Sequence, residues 1–385
     1  MYKYDKYMKN RHNITMKKYI KKNIKEILLL LFILLVSLYN MKKAPLLSSK
    51  YNSYFIKQLI WIVIGIILYI FIYKIKFKYI FKIRYFLYVA NILLLIYVLI
   101  FSPNINGIKA WIKIGSLSFQ PSELIKITFP LISIDLVKRK KYILNLILFI
   151  IPSILILLEP DTGNFILLLI LYLYIAYNKK NKKIFKIIFI TILISTASSI
   201  IVFKYKSKFF INFLNGKLYY RYKRLLNFDN IQITNGLISL ASTKLLPINM
   251  NKTIIYIPEG ITDFIFDFTA PNIGLILLLF LLISYMLFIK CYIKKYQTKR
   301  FFFSKKLIGS FTILFSVQTI YNILMNIGFV PIMGIPLPFL SYGGSNIITY
   351  FIFLSIVNKK ISSNEDMGNN NYKNNYHMVQ MDKNN

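Results

Sequence analysis

The stretch EILLLLFILLVSLY, residues 26–39, is almost entirely apolar after its first residue. The runs LIWIVIGIILYIFIY at 59–73 and NILLLIYVLIF at 91–101 have the same character. Such runs approach the length of about 20 apolar residues that a helix needs to cross a bilayer core. The chain of 385 residues is 56% hydrophobic, with a mean hydropathy of +0.54. These features predict a membrane protein with several spans.

The chain is strongly basic, with 50 Lys and Arg against 13 Asp and Glu and a formal net charge of +37. A nucleic-acid-binding protein would gather such charge on one continuous soluble face. Here the lysines flank apolar segments instead. We therefore interpret the charge as a topology signal combined with a compositional bias, and we expect no nucleic-acid partner.

Few residue types are available for catalysis. Cys291 lies at the end of an apolar run. It is the one cysteine in the sequence, so no internal disulfide can form. The two histidines, His12 and His377, lie in polar terminal stretches, which excludes a histidine base in the body of the chain. The sequence has neither a P-loop nor a GxGxxG motif, so motifs support neither ATP-driven transport nor dinucleotide chemistry.

Ten apolar segments predict an all-α polytopic fold with about ten transmembrane helices. They cover residues 25–41, 56–75, 84–102, 122–137, 142–158, 162–178, 184–204, 272–292, 306–327 and 345–358. A polar, basic stretch precedes the first segment and no small-residue cleavage site follows it. We therefore expect a retained helix and not a cleaved signal peptide.

Basic residues are unevenly distributed among the connections. The N-terminal stretch, alternate connections and the start of the C-terminal stretch are rich in Lys and Arg, which the positive-inside rule places in the cytoplasm. Both termini are then cytoplasmic, and a large extracytoplasmic loop, 205–271, separates the seventh and eighth helices. We expect a basic cytoplasmic tail at 1–23, a single transmembrane domain at 24–358 and a disordered cytoplasmic tail at 359–385.

Four polar stretches fall in connections on the predicted outer side. The first, NGIKAWIKIGSLSFQPSELIKI at 106–127, predicts a helix start at Pro121. Glu123 and Lys126 are three residues apart and can pair on one face. On these residues alone, a capping pair at the lipid interface is as good an interpretation as a functional one. Trp111 could likewise belong to an interfacial aromatic belt.

The second stretch, EPDTGNF at 159–165, is a tight acidic turn between two apolar helices. A charge at membrane depth is costly unless it is paired or hydrated. Taken alone, Asp161 is better explained as the N-cap of the next helix.

The loop 205–271 is long enough to be a functional hint in itself. Its basic run YYRYKRLLNF at 219–228 fits either a solvated or lipid-contacting loop or a diphosphate site, because Arg suits bidentate phosphate contacts. Its end, IPEGITDFIFD at 257–267, is the third stretch and holds three of the scarce acids, Glu259, Asp263 and Asp267. Taken alone, Asp263 is better explained as the cap of a helix over 264–270.

The fourth stretch is NIGFVPIMGIPLPFLSYGGSN at 326–346, which we call the signature stretch. Prolines and glycines interrupt it at a depth where helix is expected. Broken backbone is viable there only where it is buried in protein or lines a cavity. The stretch therefore predicts one wall of a pocket that opens outward.

Together the four stretches resemble the SEDS family (shape, elongation, division and sporulation) over about residues 24–358. GIKAWIKIGSLSFQPSELIKI resembles the family's G-A-x-x-W-I-x-(I/L)-G…Q-P-S-E-L-x-K stretch, and EPDTG resembles its Q-P-D-x-G turn. IPEGITDFIF resembles the P-E-x-x-T-D-F-I-F motif, and PIMGIPLPFLSYGGSN the terminal signature. Within the family, GIPLPFLSYGGS favours a RodA-like member over an FtsW-like one.

The resemblance implies a peptidoglycan glycosyltransferase. Such proteins polymerise lipid II, a polyprenyl-diphosphate-linked disaccharide peptide, at the outer face of the bacterial cytoplasmic membrane. A RodA-like member would act in cell-wall elongation and cell shape, with a class B penicillin-binding protein as its transpeptidase partner. A lipid II flippase is one alternative, because it would share the polytopic scaffold and the cavity. A non-catalytic scaffold of the cell-wall synthesis complex is another, because it would fit the altered glycine-rich stretch at 241–249.

The implied reaction needs a base for a sugar hydroxyl and cations for a departing diphosphate. The resemblance assigns the base to Asp263 and no role to Asp267. Lys126, Lys109 and Arg224 are candidates for the diphosphate, and Glu123 would orient Lys126. The full set of substrate-binding and cavity candidates is Lys126, Glu123, Lys109, Arg224, Asp161, Glu259, Gln120, Trp111, Ser341, Gly343 and Gly344. A divalent cation such as Mg²⁺ or Mn²⁺ at Asp161 is an open question, and no other cofactor is expected.

The chain departs from the family pattern in three places. Pro271 and Asn272 stand where the family has an acidic pair. ASTKLLPIN at 241–249 replaces a glycine-rich stretch, and Ala110 stands where an Arg is common before the tryptophan. These changes concern the geometry of the large loop and the vigour of catalysis.

Overall fold

The structure is a computed structural model that describes residues 2–103, 109–115, 117–177, 231–247 and 255–359, with side chains from residue 23 onward except those of residues 114 and 117. The seventh apolar segment at 184–204, the basic run at 219–228 and the tail after residue 359 lie outside these residues. The expectations for those segments stay predictions.

Within the described residues, the chain forms eleven α-helices and one β-hairpin. The helices are α1 (Tyr2–Lys43), α2 (Tyr54–Lys74), α3 (Phe77–Lys82), α4 (Arg84–Phe101), α5 (Pro121–Lys138), α6 (Tyr142–Leu158), α7 (Thr162–Ala176), α8 (Ile231–Ala241), α9 (Ile265–Thr298), α10 (Phe302–Asn326) and α11 (Gly344–Val357). Strands β1 (Ile112–Ile114) and β2 (Leu117–Phe119) pair antiparallel, with Ile112 opposite Phe119. Two 3-10 turns, Ala44–Leu46 and Ser49–Tyr51, connect α1 to α2.

Nine of the ten predicted segments coincide with helices of this set, so the mostly helical fold is confirmed. Among the described residues, five helices are long and apolar enough to cross a membrane. Helices α6, α7 and α11 are apolar but shorter. The full count of ten spans and the cytoplasmic position of both termini stay predictions.

Helices α5 and α11 form the centre of the bundle. Nearly every side chain of α5 from Pro121 to Val137 is buried, as is nearly every side chain of α11. A helix that is apolar and buried all round must be enclosed by other elements. The peripheral helices α2, α4 and α9 instead expose large apolar side chains such as Ile67, Phe86 and Phe280, as a surface toward lipid requires.

Basic connections gather at one end of the bundle, where α2 ends, α4 begins and α5 ends. Arg84 Nη2 donates to Asp135 Oδ2 at 2.7 Å, and Arg139 Nε donates to Asp135 Oδ1 at 3.0 Å. Lys359, just after α11, donates to main-chain carbonyls at the end of α2, including that of Tyr73 at 2.9 Å. The motif-bearing connections lie at the other end of the same helices.

Helix α9 is interrupted at Gly274, which has φ +79° and ψ 163°. A Cβ there would approach the main chain of the 244–247 loop too closely, so the position requires glycine. The N–H of Leu275, freed by the break, donates to the carbonyl of Lys244 at 2.9 Å. Because α9 begins at Ile265, the loop that the sequence predicts to run to residue 271 ends just before Ile265. Hydropathy places the helix start too late because its first turns carry polar residues that other elements bury.

Candidate active site

The four motif stretches converge at the end of the bundle opposite the basic turns. Gln120, the residue before α5, donates from its main-chain N–H to Ser345 Oγ at 2.7 Å and from its side chain to Asp161 Oδ2 at 2.7 Å. The main-chain N–H of Tyr342 donates to the carbonyl of Ile261 at 2.8 Å. These bonds join stretches that are far apart in the chain into one surface.

Asp161 is the N-cap of α7, as its position in the sequence predicts. Its Oδ1 accepts from the main-chain N–H of Asn164 at 3.0 Å, and its Oδ2 accepts from the Asn164 side chain at 2.7 Å. The pKa of Asp161 is raised, chiefly by burial and also by nearby Glu123, while the Asn164 hydrogen bonds and Lys126 oppose the rise. With Gln120 as a further donor, Asp161 ties the start of α7 to the start of α5.

Glu123 and Lys126 form the predicted pair inside the protein. Lys126 Nζ donates to Glu123 Oε1 at 2.7 Å, and Asn346 Nδ2 donates to Glu123 Oε2 at 3.1 Å. Lys126 is 0% exposed and Glu123 3%. The ammonium group therefore faces its carboxylate partner and not solvent. Breaking such a buried pair would leave an uncompensated charge, so the pair and its amide partner fasten α5 to α11.

The acidic stretch 257–267 forms a tight turn that leads into α9. Glu259 has φ +55°, and its carboxylate accepts a hydrogen bond from Thr262 Oγ1 at 2.8 Å. Asp263 follows at the end of the turn and is half-buried. Ser341 Oγ of the signature stretch donates to the carbonyl of Thr262 at 2.6 Å. The turn is thus fixed by main-chain contacts, and Asp263 lies half-buried at its end.

The three acids of this turn occupy different environments. Glu259 is exposed, Asp263 is half-buried and Asp267 is fully buried. Neither carboxylate oxygen of Asp267 has a hydrogen-bond partner within the described part of the chain. A Cβ on Gly236 of α8 would overlap this carboxylate, so the glycine makes room for it. The Asp267 carboxylate is therefore enclosed by the protein beside α8 and is not accessible to a substrate.

Asn322 and Asn326 of α10 were not predicted as site residues, yet both contact the main chain of Asp263. Asn322 Nδ2 donates to the Asp263 carbonyl at 2.7 Å and to the Ile335 carbonyl at 2.8 Å, and Asn326 Nδ2 donates to the Asp263 carbonyl at 3.0 Å. A signal for them was present. Two amides four residues apart in an apolar helix share one face and need polar partners.

Residues 333–335 of the signature stretch lie between the start of α7 and Asp263. A Cβ on Gly163 would lie 3.6 Å from the carbonyl oxygen of Gly334 and closer still to that of Met333. A Cβ on Gly334 would lie 3.4 Å from Asp263 Oδ2. Gly334 has φ +64°, which favours glycine. Gly163, two residues after Asp161, and Asp263 therefore border the same strip of backbone.

The predicted glycine pair begins α11. A Cβ on Gly344 would overlap the Trp61 indole of α2, so Gly344 serves helix packing. Gly343 lies beside it, with φ 165° in the extended region. Ser341 Oγ accepts from the main-chain N–H of Leu337 at 2.8 Å, which stabilises the turn before the pair. Ser341 and Gly344 thus fix the backbone where the signature stretch enters α11.

The predicted cations differ in access to this surface. Lys109 is exposed and Trp111, which precedes β1, is half-buried. Lys126 is enclosed, as described above. Arg224 lies outside the described residues.

A divalent cation does not fit the described residues at Asp161. Its two oxygens already accept hydrogen bonds from Gln120, Ser122 and Asn164. The described part of the chain also holds no group of three or more His, Cys, Asp or Glu side chains placed to bind a metal. Divalent cations need several oxygen ligands free to coordinate. We therefore derive no step through a metal.

A family model described as "Cell cycle protein" (FtsW, RodA, SpoVE) matches residues 21–366. The chain belongs to this family. Curated FtsW relatives carry the name "Probable peptidoglycan glycosyltransferase FtsW". The relative from Wigglesworthia glossinidia brevipalpis is 32% identical over 80% of this chain and 84% of its own length. The relative from Buchnera aphidicola subsp. Schizaphis graminum is 32% identical over 70% of this chain and 79% of its own.

Solved structures share the fold of this FtsW/RodA/SpoVE family member. A chain of a peptidoglycan synthase complex, in work on the structural coordination of polymerization and crosslinking, matches with a TM-score of 0.70 at 21% identity, covering 86% of this chain and 95% of that one. Rod shape determining protein RodA of Thermus thermophilus matches with a TM-score of 0.59 at 22% identity, covering 86% and 94%.

These comparisons confirm the SEDS resemblance and the expectation of an enzyme of the peptidoglycan glycosyltransferase class. They also support a membrane protein with several spans. They do not favour the RodA-like branch, because the curated relatives are named FtsW while the structural neighbours include RodA.

Proposed function

We propose that this protein polymerises lipid II into glycan strands at the outer face of the bacterial cytoplasmic membrane. The observation that carries the proposal is the half-buried Asp263 carboxylate, held in a turn bonded through its main chain to the signature stretch. Membership of the family and the name shared by the curated relatives support the same activity.

In the proposed reaction, the 4-hydroxyl of one sugar attacks the anomeric carbon of another. Asp263 accepts the hydroxyl proton, a new C–O glycosidic bond forms, and the old anomeric C–O bond breaks with its electron pair leaving on the polyprenyl diphosphate. A carboxylate suits the base role because both histidines lie in the terminal stretches. Lys109 and Arg224 are the proposed cations for the leaving diphosphate.

The buried Glu123–Lys126 pair supports the site indirectly in this proposal. Its ammonium is 2.7 Å from its partner carboxylate and has no exposure, so it acts by holding α5 against α11. Gln120 and Asp161 fasten α5 to α7 in the same way. Trp111, Glu259, Ser341, Gly343 and Gly344 are proposed to line or shape the cavity.

We propose a role in cell division and not in elongation. The support is the name FtsW shared by the curated relatives. The sequence GIPLPFLSYGGS, which favours a RodA-like member, belongs to the wall beside Asp263. Because residues beside Asp263 would serve a reaction that RodA and FtsW share, this sequence distinguishes the two branches only weakly.

We propose lipid II as donor and acceptor and a class B penicillin-binding protein as the transpeptidase partner. The support is the structural neighbour, which belongs to a peptidoglycan synthase complex described in terms of polymerization and crosslinking. The partner would use the glycan strands that this protein makes.

Polymerisation of labelled lipid II by the purified protein with its transpeptidase partner tests the function. Asp263→Asn should slow strand formation by about 10²- to 10⁴-fold, the usual contribution of a general base. Asp267→Asn is the matched control, because it changes the same residue type four positions away where the carboxylate is buried. It should retain the parent rate.

Three results would overturn the assigned base or the proposed activity. If Asp263→Asn polymerises as fast as the parent, the base is misassigned although the activity stands. If the parent makes no strands but moves lipid II across vesicle membranes, the protein is a flippase. If it does neither while still binding the transpeptidase, it is a scaffold.

A further inference from the structure

Two buried asparagines of α10 grip one carbonyl oxygen. Asn322 Nδ2 lies 2.7 Å from the Asp263 carbonyl oxygen and Asn326 Nδ2 lies 3.0 Å from it. Both asparagines are 0% exposed. We propose that Asn322 and Asn326 are positioning residues that hold Asp263 in its catalytic orientation. The inference rests on the proposed function of Asp263 as the base.

The spacing of the two residues suits this role. Four residues apart on a helix, their side chains stand one above the other on the same face. A carbonyl oxygen accepts two hydrogen bonds, and here both come from the asparagine pair. The peptide group that follows Asp263 can therefore rotate only by breaking two hydrogen bonds to buried asparagine side chains.

Each asparagine also makes a second bond that ties the turn to another part of the site. Asn322 Nδ2 donates to the carbonyl of Ile335 at 2.8 Å, next to Gly334, the residue that faces the Asp263 carboxylate. Asn326 Oδ1 accepts from the main-chain N–H of Asp267 at 3.3 Å, in the first turn of α9. The pair thus fixes Asp263 relative both to the wall beside it and to the helix behind it.

An ordinary buried amide would stabilise the fold without affecting Asp263. Gln318, one turn earlier on α10, is such a residue. It is 0% exposed like the asparagines, but its side chain is hydrogen-bonded to Tyr350 of α11. Its substitution removes a buried amide from the same helix and leaves the bonds to Asp263 in place.

The experiment compares Asn322→Leu, Asn326→Leu and Gln318→Leu with the parent, measuring both lipid II polymerisation kinetics and the midpoint of thermal unfolding. The asparagine variants should lower kcat by about 10- to 100-fold with KM for lipid II unchanged, because a misplaced base slows the chemical step without removing substrate contacts. Gln318→Leu should lower the unfolding midpoint by about as much as the asparagine variants do, while its kcat stays equal to that of the parent.

Asn322→Ser is a second variant that keeps a polar group but is too short to reach the carbonyl. If the leucine variants fail to fold, Asn322→Ser takes their place, and it should show the same loss in kcat. The inference would be overturned if the asparagine variants had the same kcat as the parent. It would also be overturned if Gln318→Leu lost as much kcat as the asparagine variants. A parent protein without polymerase activity would instead refute the proposed function, and an active Asp263→Asn would refute the base on which the inference rests.

Discussion

Glu159 and Asp161 lie two residues apart in the turn between α6 and α7, yet their carboxyl groups differ. Asp161 accepts hydrogen bonds from three side chains and one main-chain N–H. Glu159 is fully buried, and neither of its oxygens has a partner among the described residues. Burial, followed by the nearby Asp161 charge, raises the pKa of Glu159 from 4.5 to about 9. Glu159 therefore carries a proton at neutral pH.

This protonation predicts a pH-dependent stability that Glu159→Gln removes. In the folded state Glu159 keeps a proton that it releases in the unfolded state above about pH 4.5. The stability that this proton contributes is therefore fully present below that pH and is lost progressively as the pH rises to about 9. The slope is at most about 1.4 kcal/mol per pH unit. Between about pH 5 and pH 9, the unfolding midpoint of the detergent-solubilised parent should fall more steeply than that of Glu159→Gln. Parallel curves would show that Glu159 is ionised in the folded protein.

At the scale of elements, the contact of α11 with α2 depends on the first residue of α11. Gly344 lies so close to the Trp61 indole that a Cβ would overlap the ring. Gly343, one residue earlier, has room, because a Cβ there would lie 3.9 Å from the nearest atom, on Asn346. Two adjacent glycines therefore serve different purposes.

Gly344→Ala should destabilise the protein by about 1–3 kcal/mol, because overpacking forces the indole or the helix to shift. Gly343→Ala is the matched control and should unfold within the error of the parent. The midpoint of thermal unfolding measures both. Equal midpoints for the two variants would mean that Trp61 moves aside without cost.

For the whole molecule, the sidedness of the bundle is the main untested prediction. The motif stretches lie at one end, with Lys113 exposed on the hairpin there. Lys141 is exposed at the other end, between α5 and α6 and near the Arg84–Asp135 pair. The positive-inside rule places the second end in the cytoplasm.

Single-cysteine variants test this placement in intact cells. In a Cys291→Ser background, which removes the one native cysteine, a membrane-impermeant maleimide should label Lys113→Cys. It should label Lys141→Cys only after the cells are permeabilised. The opposite pattern would place the site in the cytoplasm and exclude polymerisation at the outer face.

Local signals in the sequence were sufficient for much of the fold. Apolar runs indicated nine of the helices that the structure describes, and Pro121 marked the start of α5. The spacing of Glu123 and Lys126 allowed the pair, and the position of Asp161 just before an apolar segment indicated the N-cap. These features depend on residues within one helical turn of each other, so their physics is contained in the sequence.

Only the tertiary structure decided which polar groups are buried and what they contact. Asn322 bonds to the main chain of Asp263, 59 residues earlier, and no local pattern specifies that pairing. The enclosure of Lys126 and the separate environments of Asp263 and Asp267 likewise depend on helices brought together from distant parts of the chain. Sequence alone determined the helices and the acidic turn, whereas long-range packing determined that Asp263 is half-buried beside the signature stretch and that two asparagines bond to its main-chain carbonyl.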